Sequence, residues 1–341
     1  MSRLWSALML PVVALGLMGC GGAAAVPTLA ATAAPIAVLI TPTTGAIPPA
    51  AEATVSPPST VSPPSTPATT AAATAANPLP PTPAVTPAPT ATPTIPPPPA
   101  PCTTPGRVEH GTLDSAVAGE PMRYRIYLPP CYDDDDRAYP TLYMFGGNVH
   151  DDAIWDVLGL DEAAEAAIMA GEIPPLLIVM PDNGWLANTT TSGPKSYEGF
   201  VIDELIPHIE ATWRAQADRD GRAVGGVSRG GYWSLMMAFR RPDLFRSVGA
   251  HSPALIDSHA GPAEDPAITG VTNDLGDLRI WIDIGERDPY LAQARPLHEA
   301  LSAAGVAHEW LVNPGTHEEA YWRAHLGEYL RWYGGESGIR N

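Results

Sequence analysis

The sequence predicts one α/β domain over residues 102–341, built on a mainly parallel sheet with helices on both faces. Three observations predict it. Short, continuous apolar runs such as TLYMF (Thr141 to Phe145) and LLIVM (Leu176 to Met180) have the pattern of strands covered on both sides. Segments with apolar residues at helical spacing lie between such runs. The run GGVSRGG, Gly225 to Gly231, stands where one of these strands would turn sharply into a helix.

What precedes the domain has a different composition. The start, MSRLWSALMLPVVALGLMGC, carries one basic residue, an apolar stretch from Leu4 to Met18 and then Gly19-Cys20. This is the pattern of a signal peptide over residues 1–20, too short for a comfortable membrane span. Its ending resembles a bacterial lipobox, which implies lipidation of Cys20 and an exported, membrane-anchored protein; an ordinary secretory signal is the alternative. Residues 21–101 are mostly Pro, Thr and Ala, and hold 22 of the 40 prolines and two consecutive copies of VSPPST. With almost no large apolar side chains to bury, such a segment cannot offset its chain entropy, and is expected to be a disordered spacer. Cys102 and Cys131 are then the only other cysteines, and in an exported domain they are expected to pair.

Within the domain, Met122 to Leu128 alternates polar and apolar residues as a half-exposed strand does. Thr141 to Phe145, Leu176 to Met180, Arg222 to Val227, Ser247 to Ala250, Leu278 to Ile284 and Glu309 to Val312 follow as strands. From Glu198 to Ala215, the residues Val201, Leu205, Ile209 and Trp213 recur every four positions and give one apolar helix face, with a kink expected at Pro207. Leu291 to Ala304 and Glu319 to Trp332 are the later helices. All charged side chains but Arg3 and Glu52 lie in residues 102–341, and the net charge is −18. A field of that sign opposes binding to nucleic acid or anionic lipid.

Gly226-Val227-Ser228-Arg229-Gly230 fits the G-x-S-x-G nucleophile elbow, in which a serine sits on a tight strand-to-helix turn that only glycines two positions either side allow. A serine hydroxyl is a weak nucleophile and needs a base, which in turn needs an orienting acid. Downstream, Asp288 follows the end of one strand and His317 the end of the next, in the order Ser, Asp, His. Glu286 and Asp283 are rival acids, Asp283 within its strand. His110 and His259 fall in loops, and His208, His298, His308 and His325 on ordinary structural positions.

The stretches YRIYLPPCYDDDDRAYPTLYMFGG, PPLLIVMPDN, DELIPHIEATWR, RAVGGVSRGGYWSLMMAFRRPDLFRSVGAHS, IWIDIGERDPYLAQARPLHEALSAAGVAHEW and NPGTHEEAYWRAHL together resemble an esterase family of α/β-hydrolases. That family includes esterase D-type enzymes, feruloyl and acetyl-xylan esterases, enterochelin esterases and mycolyltransferases. The resemblance implies the α/β-hydrolase fold and a serine carboxylic ester hydrolase with Ser228 as nucleophile, His317 as base and Asp288 as acid. It also implies an oxyanion hole from the backbone N–H groups of Arg229 and Gly147, and no metal or organic cofactor. Where the family commonly reads His-Gly-Gly this chain has Phe145-Gly146-Gly147, which changes the packing of that loop more than its backbone chemistry. The substrate implied is a small-molecule or polysaccharide-linked ester. Two other readings stand beside this one: an acyltransferase using the same triad, and a non-catalytic binding head on a tether.

Other candidates are weaker. Trp155, Trp185, Tyr197 and His251 fall near predicted strand ends and are candidates to line a substrate pocket. His150-Asp151-Asp152 falls in the same region without a second cluster to complete a metal site. Asp133 to Asp136 lacks the spacing and glycine of a calcium loop and reads as a solvated turn. The Arg229 side chain is expected to pair with carboxylates rather than with substrate.

Overall fold

The computed structural model describes residues 102–189, 192–255, 261–335 and 338–339. The predicted signal, Cys20, the spacer and His259 lie outside the described residues. Eight strands form one sheet: β1 (Arg107–Ser115), β2 (Glu120–Leu128), β3 (Thr141–Phe145), β4 (Leu177–Pro181), β5 (Arg222–Val227), β6 (Ser247–His251), β7 (Arg279–Gly285) and β8 (Glu309–Asn313). Their order is β1-β2-β4-β3-β5-β6-β7-β8. β1 pairs antiparallel with β2, and β2 antiparallel with β4, while the pairs β4–β3, β3–β5, β5–β6, β6–β7 and β7–β8 are all parallel.

The helices are α1 (Ile154–Leu158), α2 (Leu160–Met169), α3 (Leu186–Thr189), α4 (Tyr197–Gly199), α5 (Ile206–Thr212), α6 (Arg229–Arg240), α7 (Pro266–Thr272), α8 (Leu291–Ala303) and α9 (Glu319–Gly334). They divide between the two faces of the sheet, and the two-residue period of the strands does the sorting. Tyr143, Phe145, Val224 and Val248 point to the core under α5, α6 and α8. Leu142, Met144, Ala223 and Val227 point to the core under α1, α2 and α9. Among the described residues, no helix is long and apolar enough to cross a membrane.

The structure differs from the sequence pattern in a few places. β1 was not legible, and His110, expected in a loop, is an exposed residue of that strand. Its mid-strand Gly111 lies opposite Tyr124, and a Cβ there would fall 2.0 Å from the tyrosine ring. The glycine that hides the strand from propensity is what lets that ring lie across it. The helix expected from Glu198 to Ala215 is broken into α4, a π-helical turn (Phe200–Leu205) and α5. Pro207, in the first turn of α5, has no N–H for an i−4 carbonyl, and the wider turn before it absorbs that mismatch. Trp213 is extended (φ −117°, ψ 162°) and ends α5 early.

Cys102 and Cys131 form a disulfide with Cα atoms 5.8 Å apart, tying the start of the described chain to the turn after β2. Asp133 and Asp135 in that turn pair with Arg107 and Arg137 at the surface.

Candidate active site

β5, β7 and β8 each end at the same edge of the sheet, and each hands one polar side chain to it. Ser228 follows β5 directly, with φ 57° and ψ −120°, a conformation that L-residues avoid outside such turns. The turn is clamped from behind: Ser228 N–H donates to His251 O at 3.0 Å, and Ala254 N–H donates to Ser228 O at 3.0 Å. Asp288 follows β7 and His317 follows β8. The two loops are zipped together by Glu286 N–H to Asn313 O (2.8 Å) and Arg287 N–H to Gly315 O (3.0 Å).

The result is a continuous hydrogen-bonded chain. Ser228 Oγ lies 2.9 Å from His317 Nε2, and His317 Nδ1 lies 2.9 Å from Asp288 Oδ2. A carboxylate can only accept, so His317 carries its proton on Nδ1 and presents Nε2 as an acceptor to the serine hydroxyl. The other oxygen of Asp288 accepts from Tyr290 N–H at 2.8 Å, so the acid is held at both ends. The Asp288 side chain is fully buried, while that of His317 is 19% exposed and open to a proton exchange partner. Tyr290 and Trp322 set their rings edge-on to the imidazole, with centroids 4.7 and 5.2 Å away. This arrangement can activate a hydroxyl by general-base catalysis.

The rival acids are placed elsewhere. Glu286 is exposed and paired with Arg287. Asp283 is buried inside the sheet and forms a second His–Asp pair: His251 Nδ1 lies 2.6 Å from its Oδ1. Tyr321 and Tyr329 donate to Asp283 Oδ2 at 2.8 and 3.1 Å. His251 is stacked on Tyr329 at 3.7 Å between centroids and is wholly enclosed. Its candidacy as a pocket residue is therefore corrected: it supports the elbow from below, through its carbonyl. Trp155 is corrected likewise. It is fully buried in α1, and its indole N–H donates to Phe145 O at 3.1 Å. Tyr197 is also internal.

Serine and histidine open into a cavity of about 620 Å³, also lined by Gly147, Asn148, His150, Tyr290, Glu319 and Trp322. Trp185, half exposed, lies on the wall of an adjoining cavity of about 490 Å³, which shares Asn148, Val149 and His150 with the first. The indole is fixed there by an N–H bond to Glu120 Oε1 at 2.6 Å. A further cavity of about 670 Å³ lies at the amino ends of β7 and β8, away from Ser228. Ligands of open α/β sheets sit at the carboxyl ends.

The loop after β3 brings Gly147 against the serine: a Cβ on Gly147 would lie 3.1 Å from Ser228 Cβ. Arg229 opens α6, and the first N–H groups of a helix have no acceptor within it. Its guanidinium donates to Ala187 O at 3.3 Å and lies over the rings of Tyr232 and Trp233.

Sequence reasoning missed Asn183. Buried two residues beyond β4, its Nδ2 donates to Gly146 O at 2.6 Å and to Gly147 O at 3.2 Å. Tyr197 Oη donates to its Oδ1 at 2.8 Å, which fixes which end of the amide faces the glycines. Gly146 O belongs to the same peptide as Gly147 N–H, so Asn183 sets the direction in which that N–H points. The only signal in the sequence was its place just past a strand end. Among the described residues, no group of three His, Cys, Asp or Glu side chains is arranged to hold a metal ion.

A family model described as "Putative esterase" matches residues 115–333. The chain is 32% identical over 252 residues to Esterase Rv1288 of Mycobacterium tuberculosis, covering 60% of this chain and 54% of that protein. It is 29% identical over 235 residues to an endo-1,4-beta-xylanase/feruloyl esterase of Xylanibacter ruminicola, covering 64% of this chain and 30% of that one. The chain thus spans about half the length of those curated relatives, or less. Among solved structures, a ferulic acid esterase superposes with a TM-score of 0.61 at 24% identity, covering 67% of this chain and 97% of that one. The S-formylglutathione hydrolase FrmB of Staphylococcus aureus gives 0.58 at 17% identity, with 67% and 98% covered. At those identities the superpositions establish the fold, which is that of the α/β-hydrolases.

Proposed function

The chain belongs to this esterase family, and from that premise we propose that it is a serine carboxylic ester hydrolase working through an acyl-enzyme. The observation that carries the reading is the Ser228–His317–Asp288 hydrogen-bonded chain opening into a cavity at the carboxyl edge of the sheet. Ser228 Oγ attacks the ester carbonyl as its proton passes to His317 Nε2. Asp288 holds the imidazole in the required tautomer and stabilises the imidazolium. The N–H groups of Arg229 and Gly147 receive the negative oxygen of the tetrahedral intermediate. The C–O bond to the alcohol breaks, and the alcohol leaves with the proton from His317. A water molecule then attacks the acyl-serine, again giving its proton to His317, and the acid departs as Ser228 recovers its own.

The substrate in this reading is a small-molecule or polysaccharide-linked ester, with no cofactor. The protein acts outside the cytoplasm, anchored through Cys20 or secreted. The apolar N-terminal stretch supports this, as does the Cys102–Cys131 bond, since disulfides persist in oxidising compartments.

Hydrolysis of p-nitrophenyl acetate and butyrate by the purified protein and by Ser228→Ala tests the proposal. Turnover that drops by about 10³-fold or more in the variant supports it. Equal turnover by a folded variant sinks it. Product analysis with added alcohols or sugars separates hydrolysis from acyl transfer.

A further inference from the structure

Gly147 N–H is already engaged. It donates to Nδ1 of His150 at 2.9 Å, while His150 N–H donates back to Gly147 O at 3.1 Å, closing a tight turn. The imidazole therefore occupies the direction in which the amide would meet a negative oxygen. An N–H has one hydrogen, and it cannot make a straight bond to two acceptors at once.

Resting on the ester-hydrolase reading, we propose that His150 is a positioning residue of the oxyanion site: a built-in acceptor that holds Gly147 N–H in the free protein and that the substrate oxygen must displace. Three further observations bear on it. The peptide is pinned from its other side by Asn183 on Gly146 O, so its N–H keeps one direction whether imidazole or substrate receives it. Burial, opposed by Glu319 and Asp151, holds the His150 pKa below the ordinary histidine value, which favours the neutral ring with Nδ1 as acceptor. The ring also has somewhere to go. Residues 148–150 form the shared wall between the serine cavity and the Trp185 cavity, and Val149 is 89% exposed, so the ring borders open space, restrained by its edge-on contact with Trp322 (centroids 5.8 Å apart) and by Asn188 Nδ2 donating to Asn148 O at 3.1 Å.

The cost of displacement falls on every substrate, so the contact sets a threshold. A substrate whose carbonyl oxygen is well aligned replaces one hydrogen bond with a stronger, charge-assisted one. A poorly aligned one loses the exchange.

The test is the second-order rate of Ser228 labelling by a fluorophosphonate. In that reaction an O–P bond forms, P–F breaks, fluoride leaves and the serine proton passes to His317. The phosphoryl oxygen requires the same N–H groups as an ester. His150→Phe keeps the ring and removes the acceptor. It is expected to label about five-fold faster than wild type, the size of one net hydrogen bond. His150→Asn keeps an acceptor at similar reach and is expected to gain less. An unchanged or slower rate in folded His150→Phe overturns the proposal, the slower rate assigning His150 a donating role instead. If the variants do not fold, the ¹⁵N shift of His150 Nδ1 in the wild-type protein decides: it is expected to move on phosphonylation, and a constant shift overturns the proposal. Absence of labelling in the wild-type protein overturns the esterase reading itself, and is distinguishable because no variant rate then exists to compare.

Discussion

Gly226 and Gly230 face each other across the serine turn so closely that a Cβ on Gly226 would lie 2.6 Å from the carbonyl carbon of Gly230. A Cβ on Gly230 would meet the carbonyl oxygens of Phe145 and Gly146 at 2.5 Å. Both contacts are with backbone, which cannot rotate away. Gly230→Ala is expected to lower stability by about 2–4 kcal/mol. It should also lower kcat, because relief of the clash displaces the loop that carries Gly147. Thermal melts and ester turnover check this together, and an unchanged melting temperature would show that the turn is looser than these contacts imply.

Asn183→Leu keeps the volume and removes both polar ends of the amide. It leaves Gly146 O, Gly147 O and Tyr197 Oη without the partner each now has. We expect kcat to fall about ten-fold or more, because an oxyanion donor is being misdirected rather than deleted, with KM changed little. A fall in stability with kcat preserved would reduce Asn183 to a structural role.

The two His–Asp pairs should separate by phenotype. In Asp288→Asn the amide NH₂ can face His317 Nδ1, forcing the proton onto Nε2, where it blocks the serine. Activity is expected to drop by about 10³–10⁴-fold with the fold intact. Asp283→Ala instead strips His251, Tyr321 and Tyr329 of a shared acceptor deep in the sheet, and should cost about 3–5 kcal/mol. Denaturant melts and kcat measured on both variants test the assignment; a reversal of the two effects would refute it.

Asp161 opens α2 beside Glu162 and near Asp156. Burial first, then the hydrogen bond and charge of Glu162, push its pKa up to about 7. The folded state thus holds this proton at pH values where the unfolded chain has released it. The stability so gained is full below the ordinary aspartate pKa and is lost as pH rises toward 7. Asp161→Asn removes the penalty, so its melting temperature should exceed that of wild type at pH 8. The two should converge near pH 4. A constant difference across that range would exclude the mechanism.

The Cys102–Cys131 bond closes a loop with a sequence separation of 29. On loop-closure grounds its loss should cost about 3–4 kcal/mol. Cys131→Ser, or reduction with dithiothreitol, should lower the melting temperature of the wild-type fold without altering the Ser228 site. A melting temperature indifferent to reductant would mean that the first residues of the domain are held by other contacts.

Much of this molecule was legible in the chain itself. Strand periodicity, the glycines around Ser228 and the Ser, Asp, His order are local or ordinal properties. Each follows from what a few neighbouring residues can do sterically, so β2 through β8, the elbow and the placement of Asp288 and His317 could be read without coordinates. Long-range packing alone decided the rest. Trp155 and His251 fall near strand ends just as Trp185 does, yet α9 and the sheet enclose His251, and Trp155 turns inward on Phe145 O, while Trp185 stays on a cavity wall. β1 was hidden because Gly111 weakens its pattern, and only the ring of Tyr124 across the hairpin explains the glycine. The roles of Asn183 and His150 depend on which way one peptide plane faces. That orientation is set by hydrogen bonds from segments far apart in sequence, and no local pattern encodes it.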